Sequence, residues 1–384
     1  MANTTYFDNA ATTFPKPEAV YTFMDSFYRE CGVNVGRGQH KLAAKASALV
    51  TETRNLILNM FHCSNKKIVF THTATEALNI ILRGVPLADK QNVYISPFEH
   101  NAVTRVLAHL QAIYDISLHQ LAVDKKTLLY DLNEIKSQFS EDNPSLVIIS
   151  HASNVCGLLA PILEICGMAK QYEAITVIDI CQTAGLVDTD LSCNIIDFAV
   201  FAGHKTMYGP LGVAGFIMND RITPEPLLYG GTGVDSANQS LPKTIPERYE
   251  VSSPNIMSIA GLNAAMKWLN EIGINNVFRR EKENHDILLS TLQQYSNVKI
   301  IGNGRTDEMI GVVSCLFDGY GSDDIGHVLN NHDIAVRTGL HCAPFAHRFL
   351  GTFPAGTVRF SVSYFNTEED FAKLDKVLSL IAEG

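Results

Sequence analysis

The chain has 384 residues, is 46% hydrophobic and carries a formal net charge of -10; it can bury a large core, and because single cores stop growing near roughly 250 to 300 residues, two domains are expected. No Lys/Arg cluster is present to neutralise phosphates, which argues against nucleic acid, and no apolar run approaches the roughly 18 residues of a membrane span. The N-terminus, Met1-Ala2-Asn3-Thr4-Thr5, lacks a signal-peptide pattern, so a cytoplasmic protein is expected; the eight cysteines show no Cys-x-x-Cys spacing, indicating neither a disulfide framework nor a zinc site.

In chain order, short apolar runs alternate with helical patterns. Lys67–Phe70 precedes a helix over Thr75–Leu82, Val93–Ser96 precedes His100–Leu110, and Leu146–Ile149 precedes Pro161–Tyr172. Strands at Ile175–Asp179 and Phe198–Phe201 follow. Such alternation predicts an α/β fold with a mostly parallel sheet covered by helices, and ligands bind beyond the carboxyl ends of such strands. Tyr229 to Pro246 is rich in Gly, Ser, Asn and Pro and reads as a long loop. Helices are expected over Ser258–Ile272 and Val277–Tyr295, then strands at Val298–Ile301 and Gly311–Phe317, a helix opening at Ser322, and a strand near Ile334–Arg337. Thr357–Tyr364 and a helix capped by Thr367 close a smaller α+β domain. The division expected is 16–269 for the large domain and 1–15 with 270–384 for the small one.

Five of the polar segments that follow these runs carry candidate chemistry. Asp179 and Gln182 end one strand, and Gly203-His204-Lys205 ends the next. A lysine at one strand exit and an aspartate at the previous one suit pyridoxal phosphate (PLP): the amine forms a Schiff base with the aldehyde, and the carboxylate keeps the ring nitrogen protonated. Thr73-Ala74-Thr75, between a strand and a helix, is either an ordinary N-cap or a phosphate site, with Ala74 and Thr75 at the free N–H groups. His100 is either a helix cap or a ring that stacks on the cofactor. Asn154 is either turn chemistry or a holder of the cofactor or the substrate carboxylate.

Two further candidates lie in the last quarter. Cys342, in Arg337-Thr338-Gly339-Leu340-His341-Cys342-Ala343-Pro344, stands in a Gly- and Pro-bounded loop near His and Arg, a setting that favours nucleophilic use. Arg359 alternates with Val358, Phe360 and Val362, placing it on the polar face of its strand as a surface residue or a bidentate clamp for an α-carboxylate.

Taken together, Tyr6-Phe7-Asp8-Asn9-Ala10-Ala11-Thr12, Asp179-x-x-Gln182, Gly203-His204-Lys205 and Arg337-Thr338-Gly339-x-His341-Cys342-Ala343 resemble the class V aminotransferase family, within it the SUF-type cysteine desulfurases and selenocysteine lyases. The resemblance implies the PLP-dependent transferase fold type I and the cofactor pyridoxal 5'-phosphate. It implies that Lys205 holds the cofactor and moves the substrate α-proton, that Asp179 pairs with the pyridinium, and that Gln182 touches the phenolic oxygen. His100 would stack on the ring, Ala74, Thr75 and His204 would hold the phosphate, and Asn154 and Arg359 would hold the substrate carboxylate. Cys342 would attack the substrate sulfur. A homodimer is implied, with Ser253 standing where a threonine crosses the interface to the partner's phosphate. Ala202 stands where the family often has a phosphate-binding serine, and Leu340 replaces the first histidine of a His-His-Cys sequence.

The expected reaction converts L-cysteine to L-alanine, with the sulfur held on Cys342 as a persulfide for an acceptor protein. The alternative is a selenocysteine lyase acting on L-selenocysteine with the same residues. An ordinary aminotransferase, with Cys342 incidental, and a PLP-binding protein without turnover complete the possibilities.

Overall fold

The computed structural model describes residues 4–36, 38, 40–234, 237–302 and 308–383; residues 235 and 236 of the expected long loop lie outside this set. β1 (Thr5–Tyr6) is followed by α1 (Glu18–Cys31) and α2 (Lys41–Met60), then by β2 (Lys67–Thr71), α3 (Ala74–Gly84), β3 (Asn92–Ile95), α4 (Asn101–Gln111), β4 (Ser117–Gln120) and α5 (Leu132–Glu141). β5 (Pro144–Ser150), α6 (Ile162–Lys170), β6 (Ile175–Asp179), β7 (Phe198–Ala202), β8 (Ala214–Met218), α7 (Ile256–Ile272) and α8 (Ile274–Gln293) continue the chain. It ends with β9 (Val298–Ile300), β10 (Val312–Phe317), α9 (Ser322–Asn331), β11 (Ile334–Ala335), β12 (Arg337–Gly339), α10 (Pro344–Leu350), β13 (Thr357–Ser361) and α11 (Glu368–Glu383).

Seven strands form one sheet in the order β2-β8-β7-β6-β5-β3-β4. Its pairs are parallel except those of β8, which runs antiparallel to β2 and β7. Ile-Thr-Val-Ile-Asp of β6 and Phe-Ala-Val-Phe-Ala of β7 are buried throughout, as near-continuous apolar strands must be when helices cover both faces. On one face Phe27, Leu49, Ile135, Ile165 and Leu262 bring α1, α2, α5, α6 and α7 against Ile149, Ile178 and Phe201. On the other, Leu78 and Leu107 bring α3 and α4 against Ile148, Val177 and Val200.

A four-stranded antiparallel sheet, β12-β13-β10-β9, has an apolar cluster of its own. Phe7, from the start of the chain, is buried in it beside Phe360 and Phe371, and β1 pairs with β11. Gly273, at φ 85°, ends α7 and admits the turn into α8. Two expectations need correction. The strand expected near Ile334–Arg337 is two strands, β11 and β12, each pairing in a different sheet, and α8 opens three residues before Val277. The segment after Cys342 carries α10, begun by Pro344 at its first position.

Candidate active site

The sheet's carboxyl edge is built by local sequence rules. Thr73 Oγ1 accepts from Glu76 N at 3.1 Å while Glu76 Oε2 accepts from His72 N at 2.9 Å, and this reciprocal cap starts α3 at Ala74. By the geometry of any helix start, the first N–H groups, those of Ala74 and Thr75, have no partner within the helix. His100 caps α4, its Nδ1 accepting from Ala102 N at 3.0 Å, so the ring's proton is assigned to Nε2. Burial, then the charge of Lys205, pulls its pKa down to about 4, leaving it neutral at neutral pH.

A cavity of about 300 Å³ opens here, between the ends of β5, β6 and β7, the start of α3 and the small sheet. Ala74, Thr75, His100, Asn154, Asp179, Gln182, His204, Lys205 and Arg359 all line it, so nine of the expected site residues meet in one place. Asp179 is 9% exposed and its Oδ1 accepts from Cys181 N at 2.9 Å. Gln182 Nε2 donates to Ala10 O at 2.9 Å. His204 Nδ1 and Thr206 Oγ1 are buried with no partner among the described residues. Burial and the charges of Lys205 and Lys16 hold His204 down at about 3.

The stretch 8–16 straps the lysine segment. Thr12 Oγ1 and Lys16 Nζ donate to His204 O at 3.0 and 2.6 Å, and Thr13 Oγ1 donates to Lys205 O at 2.9 Å. These residues were missed as site elements; their signal in the sequence was the pair Thr12-Thr13 beside a proline-flanked lysine, a pattern without a chemical meaning until its target is known.

Arg359 is not a surface residue. It is fully buried, with Nη2 donating to Asp8 Oδ1 at 2.6 Å and Nη1 to Asn154 O at 3.0 Å, while Nε stays unpartnered. The face of β13 that alternation marks as polar packs on the segment that follows β5: neighbouring Ser314 Oγ donates to Val155 O at 2.6 Å. Asn154 serves the cysteine loop, donating from Nδ2 to His341 O at 2.8 Å.

Cys342 does not line the 300 Å³ cavity but stands beside it, half-buried, in the left-handed region at φ 59°. Asn101 N donates to its carbonyl at 2.7 Å, and Arg337 Nη2 donates to its Sγ at 3.2 Å. Arg337 and His341 reach the cavity itself, so they bridge the thiol to the lysine. Arg337 stood in the sequence motif without an assigned task, and its register opposite Arg359 explains its place.

Ser253 is exposed and lines a different cavity, of about 320 Å³, with Phe70, Tyr249 and Val251. No lysine is among its described lining residues, and its arginine, Arg54, is neutralised by Glu250 at 2.5 Å. The polar chemistry therefore belongs to the first cavity.

A mostly parallel sheet carrying Asp179 and Lys205 at adjacent strand exits, with the four-stranded sheet contributing Arg337 and Arg359 to the same cavity, is the PLP-dependent transferase fold type I. The chain belongs to the class-V aminotransferase family, which it matches over residues 5–374. It is 31% identical over 375 residues, 95% of this chain and 91% of the relative, to a probable cysteine desulfurase of Pyrococcus abyssi. A probable cysteine desulfurase of Halalkalibacterium halodurans is 30% identical over 387 residues, 98% and 93% of the two chains. The apo structure of a cysteine desulfurase from Thermococcus onnurineus NA1 superposes with a TM-score of 0.92 at 29% identity, covering 99% of this chain and 95% of that one. No helix among the described residues is long and apolar enough to cross a membrane.

Proposed function

We propose that this protein is a PLP-dependent cysteine desulfurase, converting L-cysteine to L-alanine and retaining the sulfur on Cys342. The observation that carries the reading is the meeting of Lys205, Asp179, His100 and Arg359 in one cavity with the Cys342 thiol held by Arg337 at its edge. Relatives named cysteine desulfurase along nearly the whole chain support it.

The cavity suits PLP in size and in donors: pockets for small ligands begin at about 300 Å³, and His204, which lines the cavity, has its Nδ1 unpartnered and free for a group such as a phosphate oxygen. Lys205 would hold the cofactor covalently, Asp179 would face its ring nitrogen, His100 its ring, and Ala74, Thr75 and His204 its phosphate; Ala202 offers no hydroxyl there. The cofactor supplies an electron sink for the carbanion that follows loss of the α-proton. Lys205 Nζ takes that proton. Arg359 receives the substrate carboxylate, and Asn154 fixes the cysteine loop. Cys342 Sγ, which accepts from Arg337 Nη2, attacks the substrate sulfur and gives up its proton. The substrate's Cβ–S bond breaks, an S–S bond forms, and the Cβ electron pair is protonated, so that cysteine and a thiol become alanine and a persulfide without an external oxidant.

The division into 16–269 and 1–15 with 270–384 belongs to the same proposal, supported by the separate apolar cluster that includes Phe7. A homodimer is proposed as well. Leu211 at 65% and Tyr229 at 74% exposure are large apolar groups left open, and a second copy would cover them and bring Ser253 toward its partner's phosphate. The test is alanine release from L-cysteine and L-selenocysteine in parallel. Turnover of L-cysteine that disappears in Lys205→Ala supports the proposal; release from L-selenocysteine alone would make the protein a selenocysteine lyase.

A further inference from the structure

The outer faces of α3 and α4 carry two polar stripes that lead to Cys342. Thr75, Asn79 and Arg83 repeat at four-residue spacing on α3, and Asn101, Arg105 and His109 do so on α4, which puts each trio on one side of its helix. The stripes line a recess of about 540 Å³ whose wall includes Cys342. A second recess, of about 530 Å³, shares Asn101, Arg105 and Cys342 and adds Arg337 and Arg348. Four arginines thus line the two recesses that share Cys342, of which Arg337 touches the thiol, and no Asp or Glu is among the described lining residues of either recess. Arg83 and Arg105 are exposed and have no ion-pair partner among the described residues. In a chain with a net charge of -10, an uncompensated cluster of this kind is a local reversal of the field, and such a reversal concentrates anions at its centre.

We propose that these arginine-rimmed recesses seat the second substrate, and that the sulfur acceptor they select is a small thiol bearing two carboxylates. The proposal rests on the desulfurase reading above. Recesses of this volume suit small molecules. Guanidinium groups bind carboxylates through paired N–H donors, and Arg83 and Arg105, on adjacent packed helices, can each take one. The acceptor's thiolate attacks the outer sulfur of the Cys342 persulfide; the new S–S bond forms as the old one breaks, and the electron pair leaves on Cys342 Sγ. The outer sulfur keeps its proton, the acceptor departs as a persulfide, and no oxidant or reductant is consumed. Arg337 Nη2, at 3.2 Å from Sγ, stabilises the leaving thiolate.

The experiment first loads the holoenzyme with L-cysteine and counts the alanine formed. Sulfur transfer to mercaptosuccinate is then compared with transfer to 2-mercaptoethanol, each rate expressed per persulfide loaded. Saturable transfer that prefers mercaptosuccinate and weakens with added KCl is expected. In R83Q/R105Q, kcat/KM for mercaptosuccinate should fall on the order of tenfold, with 2-mercaptoethanol hardly affected. Equal use of the two thiols, or equal slowing of both in the variant, overturns the proposal while a normal alanine burst leaves the desulfurase reading intact. Absence of that burst removes both.

Discussion

Arg359 lines the cavity beside Lys205, where the proposed function makes it a carboxylate clamp, and its own contacts determine what a substitution does. Asp8 and Asn154 O hold its two terminal nitrogens in a fixed plane, so a lysine would keep the charge and lose the fork. Arg359→Lys is expected to raise KM for L-cysteine by about tenfold or more with a smaller change in kcat, because a clamp of this kind binds ground and transition states alike. Steady-state kinetics check this; an unaltered KM with a depressed kcat would contradict the assignment. The alternation of Val358, Phe360 and Val362 revealed the side of the strand on which Arg359 lies. It could not reveal that the segment after β5 covers that side, because strand period reports direction and says nothing of what packs there. Glu281 gives a second residue-scale prediction. It is buried near Tyr208 with Gly311 N, at 3.3 Å, its one hydrogen-bond donor among the described residues, and burial pushes its carboxyl up to about 8 from 4.5. A carboxyl raised on folding contributes stability that is complete below pH 4.5 and is lost as the pH rises through about 8. Thermal midpoints should therefore decline across that window, and Glu281→Gln should flatten the decline and be the more stable form at its upper end. Parallel slopes for the two proteins would show that Glu281 ionises without penalty.

At the scale of elements, the cysteine loop hangs between β12 and β13, and two glycines close its base. Gly356, at φ 77°, lies so near Gly339 that an added Cβ would stand 2.2 Å from the Gly339 carbonyl carbon and oxygen. Gly319, at φ 84°, has nothing within 4 Å of that position. Gly356→Ala should thus push β12 from β13, lower the melting temperature by several degrees and sharply reduce sulfur transfer; Gly319→Ala meets only the left-handed backbone cost, about 1 kcal/mol. Calorimetry and alanine release on the two variants check this, and equal behaviour would mean that the loop base yields easily. The elements legible in the sequence are those with a clean period. β5, β6 and β7 stand within a residue or two of their apolar runs, and Asp179, His204 and Lys205 fall at their exits. β8 was missed: Ala-Gly-Phe-Ile-Met holds a glycine and too few branched residues to declare a strand, and its antiparallel direction depends on the tight turn after Tyr208. α1 and α2 were missed too, since α2 alternates Ala, Lys and Thr with scattered apolar residues and its amphipathic face becomes clear only against α7.

For the whole molecule, the arrangement of functional groups depends on contacts across great sequence distance. Asp8 meets Arg359, Asn154 meets the carbonyl of His341, and Thr12 and Thr13 meet the lysine segment. Family motifs identified the residues, but no spacing within the chain shows that Cys342 stands beside the cavity rather than in it. That placement means the substrate sulfur must reach the rim where Arg337 holds the thiol. It also leaves Cys342 facing the outer recesses, where an acceptor can enter. The central claim is that sulfur leaves L-cysteine by way of this one thiol, although seven other free cysteines are present. The most direct measurement is a single turnover of L-cysteine in the absence of reductant, with alanine counted and the cysteine peptides weighed. One alanine per subunit, with one added sulfur atom on the Cys342 peptide and neither in Cys342→Ala, is the predicted result. A full alanine burst in Cys342→Ala, or added sulfur on a different cysteine, would contradict it.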